Sequence, residues 1–338
     1  MKQAPKDLRF LILIIIVLMV AAYFVSSNVR HESQIKKLRG AEWIDYDQEG
    51  RLYFTYKEDV YRLNPDNAFP EKIIDTDLKI SSSDIMDIAI APSGRIFLTD
   101  PKAGEVRAYS NDGALQYRLK GQFKENARIA ADDERLYIAD MQGNRVMALD
   151  SKDGNILWTN RGYMIPDSIF IRNRVVYVSD ETKNLVRKLN AKKGEVLKDL
   201  RLDFSGYTYG SSMLVLNDGS ILLAPSYTRN GSLKKFSEDG EFIREIEGPE
   251  GFMPVDMAVN RDGTVMITDD EDYSFYLFGN DVIELVRSKN TDALFSVEKN
   301  KRISLMKIAF YDKLIAMACV IVLLGLYIAY RRSKQRTV

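Results

Sequence analysis

The chain has 338 residues, with 48 Lys+Arg balanced by 48 Asp+Glu, so it carries no bulk charge for nucleic acid. One histidine, His31, and one cysteine, Cys319, exclude an intrachain disulfide and a Cys/His zinc site. They also leave serine–histidine and cysteine–histidine catalysis without a base beyond His31.

In chain order, residues 1–9 form a short tail with Lys2, Lys6 and Arg9. Unbroken apolar sequence follows from Phe10 to Val25, near the lower length for crossing a hydrocarbon core. It is read as a transmembrane signal anchor over 10–26. A cleaved signal peptide is the competing reading, because Val25, Ser26 and Ser27 suit a cleavage site. Residues 27–42 are a polar connector in which His31 is expected to be solvated.

The stretch 43–289 is organised by a repeat, clearest in IMDIAIAPSGRIFLTDPKAGEVRAY from Ile85 to Tyr109. A short apolar run ends in a turn, a second ends in Thr-Asp, and an alternating third follows a glycine-containing turn. This is the mark of short antiparallel strands. The second run opens at Arg51, Arg95, Arg135, Val175, Ser220 and Thr264, a period of 40 to 45 residues. Six copies at that period predict an all-β fold, a six-bladed β-propeller.

Residues 290–313 mix apolar and basic side chains. Helical spacing predicts an amphipathic juxtamembrane segment, and the alternation of Ile303 and Leu305 also allows an extra strand. Leu314 to Tyr330 is uncharged, with Tyr327 and Tyr330 near one end and Arg331, Arg332, Lys334 and Arg336 beyond it. A transmembrane helix over 314–330 and a basic tail over 331–338 follow. Two spans put both termini on one side, and the seven basic residues of the tails favour the cytoplasm. The propeller is then expected in the periplasm, or the equivalent extracytoplasmic space, tethered to the inner (plasma) membrane.

The repeat resembles the NHL repeat: an apolar strand, Asp-Gly, a second strand ending in Ala/Thr-Asp, a Gly-Asn-Arg turn and another strand. The third copy carries it best, with Asp140 leading through Gly143 and Asn144 to Arg145. The resemblance implies a structural pair between Asp140 and Arg145. Asp100, Asp180 and Asp269 match the aspartate alone, since Glu105, Leu185 and Ser274 stand at the arginine position. A carboxylate there can accept backbone N–H bonds from the following turn.

Aligning the opening residue of each first strand gives Trp43, Asp87, Arg128, Asp167, Ser212 and Asp256. A six-fold ring places the three aspartates about 120 degrees apart near the channel mouth. Three converging carboxylates repel unless a cation, a proton or Arg128 compensates them. Calcium is the cofactor such a site would take. The competing role is capping of backbone N–H groups in the neighbouring blade. The expected function is a membrane-tethered protein-binding or scaffolding module within a membrane complex. The alternative is a solute sensor or a calcium-dependent hydrolase similar to the lactonase-like propellers.

Overall fold

The computed structural model describes residues 6–35, 40–64, 67–78, 86–202, 212–225, 231–286 and 289–335. The outer parts of both tails, residues 36–39 of the expected connector and residues 287–288 at the end of the last copy lie outside these. The chain divides into two compact units, 39–295 and a helical unit made of 1–38 with 296–338.

The first unit is a six-bladed propeller. Its blades occupy 44–74, 88–119, 127–161, 166–201, 212–247 and 254–285, each a four-stranded antiparallel sheet built in sequence order. The expected repeat is therefore the structural unit. The second strands Leu52–Tyr56, Ile96–Asp100 and Val265–Asp269 are buried at every residue, because each blade is covered by a neighbour on both faces. The fourth strands, such as Leu115–Leu119 and Val196–Arg201, are mostly exposed and close the outside. Gly113, at a φ of +86°, shows why the hairpins need glycine. A Cβ there would stand 2.0 Å from the Ile73 carbonyl oxygen of the preceding blade.

Successive blades meet through clusters of buried side chains. Phe97, Val106, Ile129 and Ile138 join blades two and three, and Tyr137, Val146, Val176 and Val178 join three and four. Ring closure between blades six and one is different. Each blade uses one contiguous stretch of chain, so no strand is shared across the seam. Side chains close it instead. Phe54 of blade one meets Phe275 of blade six edge to face, with centroids 5.3 Å apart. Phe295, from the first turns of the helix that follows, lies against Tyr56 at 5.0 Å and Phe275 at 6.1 Å. Backbone joins the seam too: Thr268 Oγ1 donates to Glu42 O at 2.7 Å.

The helical unit pairs α1 (Lys6–Ile35) with α2 (Lys289–Gln335). On α1 the less exposed positions include Phe10, Ile14, Val17, Ala21, Phe24, Asn28 and His31; on α2 from residue 305 they are Leu305, Ala309, Asp312, Ala316, Cys319, Leu323, Leu326 and Tyr330. Alternating steps of three and four give each helix one seam, as in coiled coils. Phe10 stacks on Tyr330 at 5.1 Å. Toward the opposite end Asn28 Nδ2 donates to Ala309 O at 2.9 Å, His31 Nδ1 lies 3.0 Å from Asp312 Oδ2, and Lys313 Nζ is 2.7 Å from Glu32 Oε1. The pairing is antiparallel, with polar partners at one end of an apolar seam.

These contacts bear on two expectations. The connector expected from residue 27 is helical as far as Ile35, since neither glycine nor proline interrupts it and its polar side chains have partners on α2. His31, expected to be solvated, pairs with Asp312. The stretch 290–313 is helix rather than strand, continuous with the apolar segment after it.

Phe295 is 1 % exposed, so Phe295→Ala should open a cavity at the closure seam. We expect it to destabilise the full chain in detergent by about 3 to 5 kcal/mol, with the ring still unfolding in one transition. Chemical denaturation measures this, and a loss below about 1 kcal/mol would show that the seam does not depend on this ring.

Candidate functional site

The first strands line the central channel, and their opening residues are held by the second strands. Trp43 N, Asp87 N and Asp256 N donate to Thr55, Thr99 and Thr268 Oγ1 at 3.1, 2.7 and 3.1 Å. A threonine one residue before the repeat-aspartate position, which is Tyr56 in blade one, thus sets the inner strand's register. Arg128, Ser168 and Ser212 complete the level, opposite Ala139, Ser179 and Ala224. The first turn of blade four is the tight Asn173–Arg174 pair, which moves the level one residue along to Ser168, where simple alignment expects Asp167.

Side chains at this inner ring accept N–H groups from the next blade. Asp87 Oδ2 accepts from Ile129 N at 2.7 Å, Ser168 Oγ from Met213 N at 3.1 Å, and Ser212 Oγ from Met257 N at 3.1 Å. Asp256 Oδ2 closes the circle by accepting from Ile44 N at 3.0 Å. In blade one the acceptor is two residues further along the same face: Asp45 Oδ2 accepts from Ile90 N at 2.7 Å. Arg128 has no acceptor to offer. There the indole of Trp158 in blade three donates to Ala191 O of blade four at 3.0 Å.

Arg128 instead reaches across the channel. Its Nη2 is 2.9 Å from Asp256 Oδ1, its Nε is 3.7 Å from Asp87 Oδ2, and its guanidinium lies 4.1 Å from the Trp43 ring centroid. Ser212 Oγ donates to the same Asp256 Oδ1 at 2.7 Å. Asp167, also buried, accepts from Ser179 Oγ within its own blade. Two of the three aspartates therefore meet at Arg128, and the third is bonded by Ser179. Among the described residues no group of three or more His, Cys, Asp or Glu is placed to hold a metal ion. The residues do not fit a calcium site, because a guanidinium occupies the position the cation would take.

These residues form the deep end of a cavity of about 570 Å³, not its rim. The rim is made by the turns between first and second strands, including Gln48, Pro92, Asp132, Asn173, Arg174 and Arg261. Burial pushes the Asp45 carboxyl up to about 7, with Asp256 and Asp87 adding to the rise against the N–H bonds it accepts. Burial also pushes Asp87 up to about 7; Arg128 opposes the rise and Asp256 adds to it. Asp45 is the site residue that alignment of the repeat passes over. Its signal was a carboxylate two residues beyond the aligned position, on the same face of a period-two strand.

The repeat aspartates lie away from the cavity, among turn N–H groups. Arg145 Nε donates to Asp140 Oδ2 at 2.9 Å and Gly143 N to Asp140 Oδ1 at 2.8 Å. Asp100 accepts from Ala103 N at 3.1 Å, and Arg107, two positions beyond Glu105, donates to it at 2.7 Å. Asp180 accepts from Met164 N at 2.9 Å, and Asp269 from Met253 N, Glu271 N and Asp272 N at 2.6 to 2.9 Å.

Geometry of this kind defines a closed six-bladed propeller with an open central cavity. A family model described as outer membrane protein assembly factor BamB matches residues 102–217, from the second blade into the fifth. No curated protein matches the chain. Among solved structures, a streptogramin B lyase is similar with a TM-score of 0.56 and 15% identity, over 75% of this chain and 85% of that one. Virginiamycin B lyase from Staphylococcus aureus is similar at 0.56 and 15%, over 74% and 85%. A catalytically inactive form of that enzyme with quinupristin gives 0.55 and 15%, over 75% and 87%. At this identity the likeness is one of fold.

The raised Asp45 carboxyl has a consequence for stability. Below about pH 4 it is protonated in both folded and unfolded chains. Between about pH 4 and 7 the unfolded chain releases the proton and the folded chain keeps it, so stability falls as pH rises. Above about 7 the penalty is constant. Asp45→Asn keeps an oxygen acceptor for Ile90 N and removes the charge. Its stability advantage over the parent should therefore grow from pH 4 to 7 and then level off; an advantage independent of pH would contradict the placement of this carboxyl.

Proposed function

We propose that the chain is a membrane-tethered propeller, a protein-binding or scaffolding module of a membrane complex, anchored by both α1 and α2. The observation that carries the tether is the antiparallel seam. Two helices long and apolar enough to cross a membrane pair along their length, and their polar contacts gather at the end nearer the ring in sequence. A leader removed after residue 27 would strand Asp312 and Lys313 without their α1 partners, which supports a retained anchor over a cleaved signal. The basic tails support cytoplasmic termini and an extracytoplasmic ring. We also read the repeat as NHL-like, supported by the Asp140–Arg145 pair.

Binding rather than catalysis is the reading for the ring. The innermost carboxyls of the cavity, Asp87 and Asp256, are tied to Arg128, Asp45 accepts from backbone N–H groups, and the sole histidine of the chain is on α1. The family model matching blades two to five bears the name of an assembly factor, which supports a role in association. Propellers host many activities, so the site and not the fold carries this choice.

A cross-link tests the tether. With Cys319→Ser removing the native thiol, His31→Cys and Asp312→Cys should join on mild oxidation or with a short bismaleimide in intact membranes. After cleavage at a protease site inserted at Asp239-Gly240, the two fragments should still migrate together. Separate fragments, or an N-terminal fragment beginning near residue 28, would sink the two-helix anchor.

A further inference from the structure

The central cavity does not end at its rim. A second depression, of about 630 Å³, shares Pro92, Asp132 and Arg174 with it and runs outward between blades three and four. One wall is the first turn of blade three, with Asp132, Asp133 and Glu134, and with Arg135 paired to Glu134; the other is Arg174 with Lys192 and Lys193 on turns of blade four. The two depressions lie on the face of first-to-second and third-to-fourth strand turns. The chain enters and leaves the ring on the other face, at Gly40 and Phe295, so neither terminus of the ring crosses the groove.

We propose that cavity and groove form one track for an extended peptide segment of a partner protein, with a lysine or arginine side chain of that segment seated over Asp45. This rests on the protein-binding reading above and names the kind of partner. The shape favours a chain over a compact ligand, because a deep pocket continues into an open channel with walls of opposite charge. The lining holds five aspartates and four arginines, and the aspartate without a cation beside it selects the anchor. Arg128 is already engaged by Asp256 and Asp87, whereas the partners of Asp45 are N–H groups, from Ile90 at 2.7 Å and Tyr46 at 2.8 Å. Asp45 is thus a carboxylate at the cavity wall with no cation beside it among the described residues. A cation arriving there would favour its ionised form. Outside the pocket, acidic side chains of the peptide would face Lys192 and Lys193 and basic ones Asp133 and Glu134.

A phage-displayed octapeptide library panned on the full chain in detergent tests this. Enriched peptides should share one lysine or arginine, bind at least tenfold more weakly to Asp45→Asn, and also weaken with Lys192→Glu. The Asp45→Asn change keeps an acceptor for Ile90 N, and Lys192 is an exposed turn residue, so the second variant reports even if the first folds poorly. Binding to the parent should tighten between pH 6 and pH 8 as Asp45 ionises. Peptides lacking a cation, or binding both variants as tightly as the parent, remove the track and leave a protein-binding ring. Free lysine at millimolar concentration stabilising the ring as well as the peptides would show a small-cation pocket and overturn the proposal. No enrichment at all removes both the track and the protein-binding reading.

Discussion

The ring depends on one repeated constraint: an inner strand must satisfy N–H groups that face the next blade. In a blade the first strand has a hydrogen-bonded neighbour on one edge only, and its other edge turns to the channel, where an unpaired buried group is costly. A side chain on the preceding blade supplies the acceptor at five of six junctions, three times from a carboxyl and twice from a serine hydroxyl. Each bond is worth about 0.5 to 3 kcal/mol, least for the serine acceptors. Their importance is geometric as well, since each fixes the approach of one blade to the next.

The carboxylates that cap this edge must be compensated, and Arg128 does so at the junction that lacks a cap. It ties blade three to blade six across the channel and covers Trp43 of blade one. Arg128 and its partners are buried at the inner end of the cavity, while Asp45, two residues further along its strand, lines the wall with N–H groups as its partners. All three carboxyls cap backbone, but only Asp87 and Asp256 are also compensated by the guanidinium. Closure of the circle then falls to aromatic packing, because the contiguous blades offer no shared strand.

Much of this was legible in the sequence. The period of 40 to 45 residues, the hairpin turns and the apolar runs gave six blades and their order. Asp87, Arg128 and Asp256 were visible because they recur at one register position. Asp167 was displaced from that position by the tight Asn173–Arg174 turn of blade four, which shortens the count from the second strand back to the first by one residue. Asp45 was hidden in the weakest copy, whose acceptor is shifted by one full pleat. The pairing of α1 with α2 was hidden for another reason. A uniformly apolar helix gives no contrast from which to read a seam, and Asn28, His31 and Asp312 become meaningful only when the two helices are side by side.

Hydrogen exchange read by mass spectrometry on the inner strands is the most direct measurement of the central claim, that these caps bind the blades into one cooperative ring. Peptides containing Ile44, Ile90, Ile129, Met213 and Met257 should exchange together, at the rate of global unfolding, because no inner strand can open without breaking its neighbour's cap. If any one of these strands, away from the helices, exchanged well ahead of the others, the blades would be opening singly and the caps would not be what holds the ring.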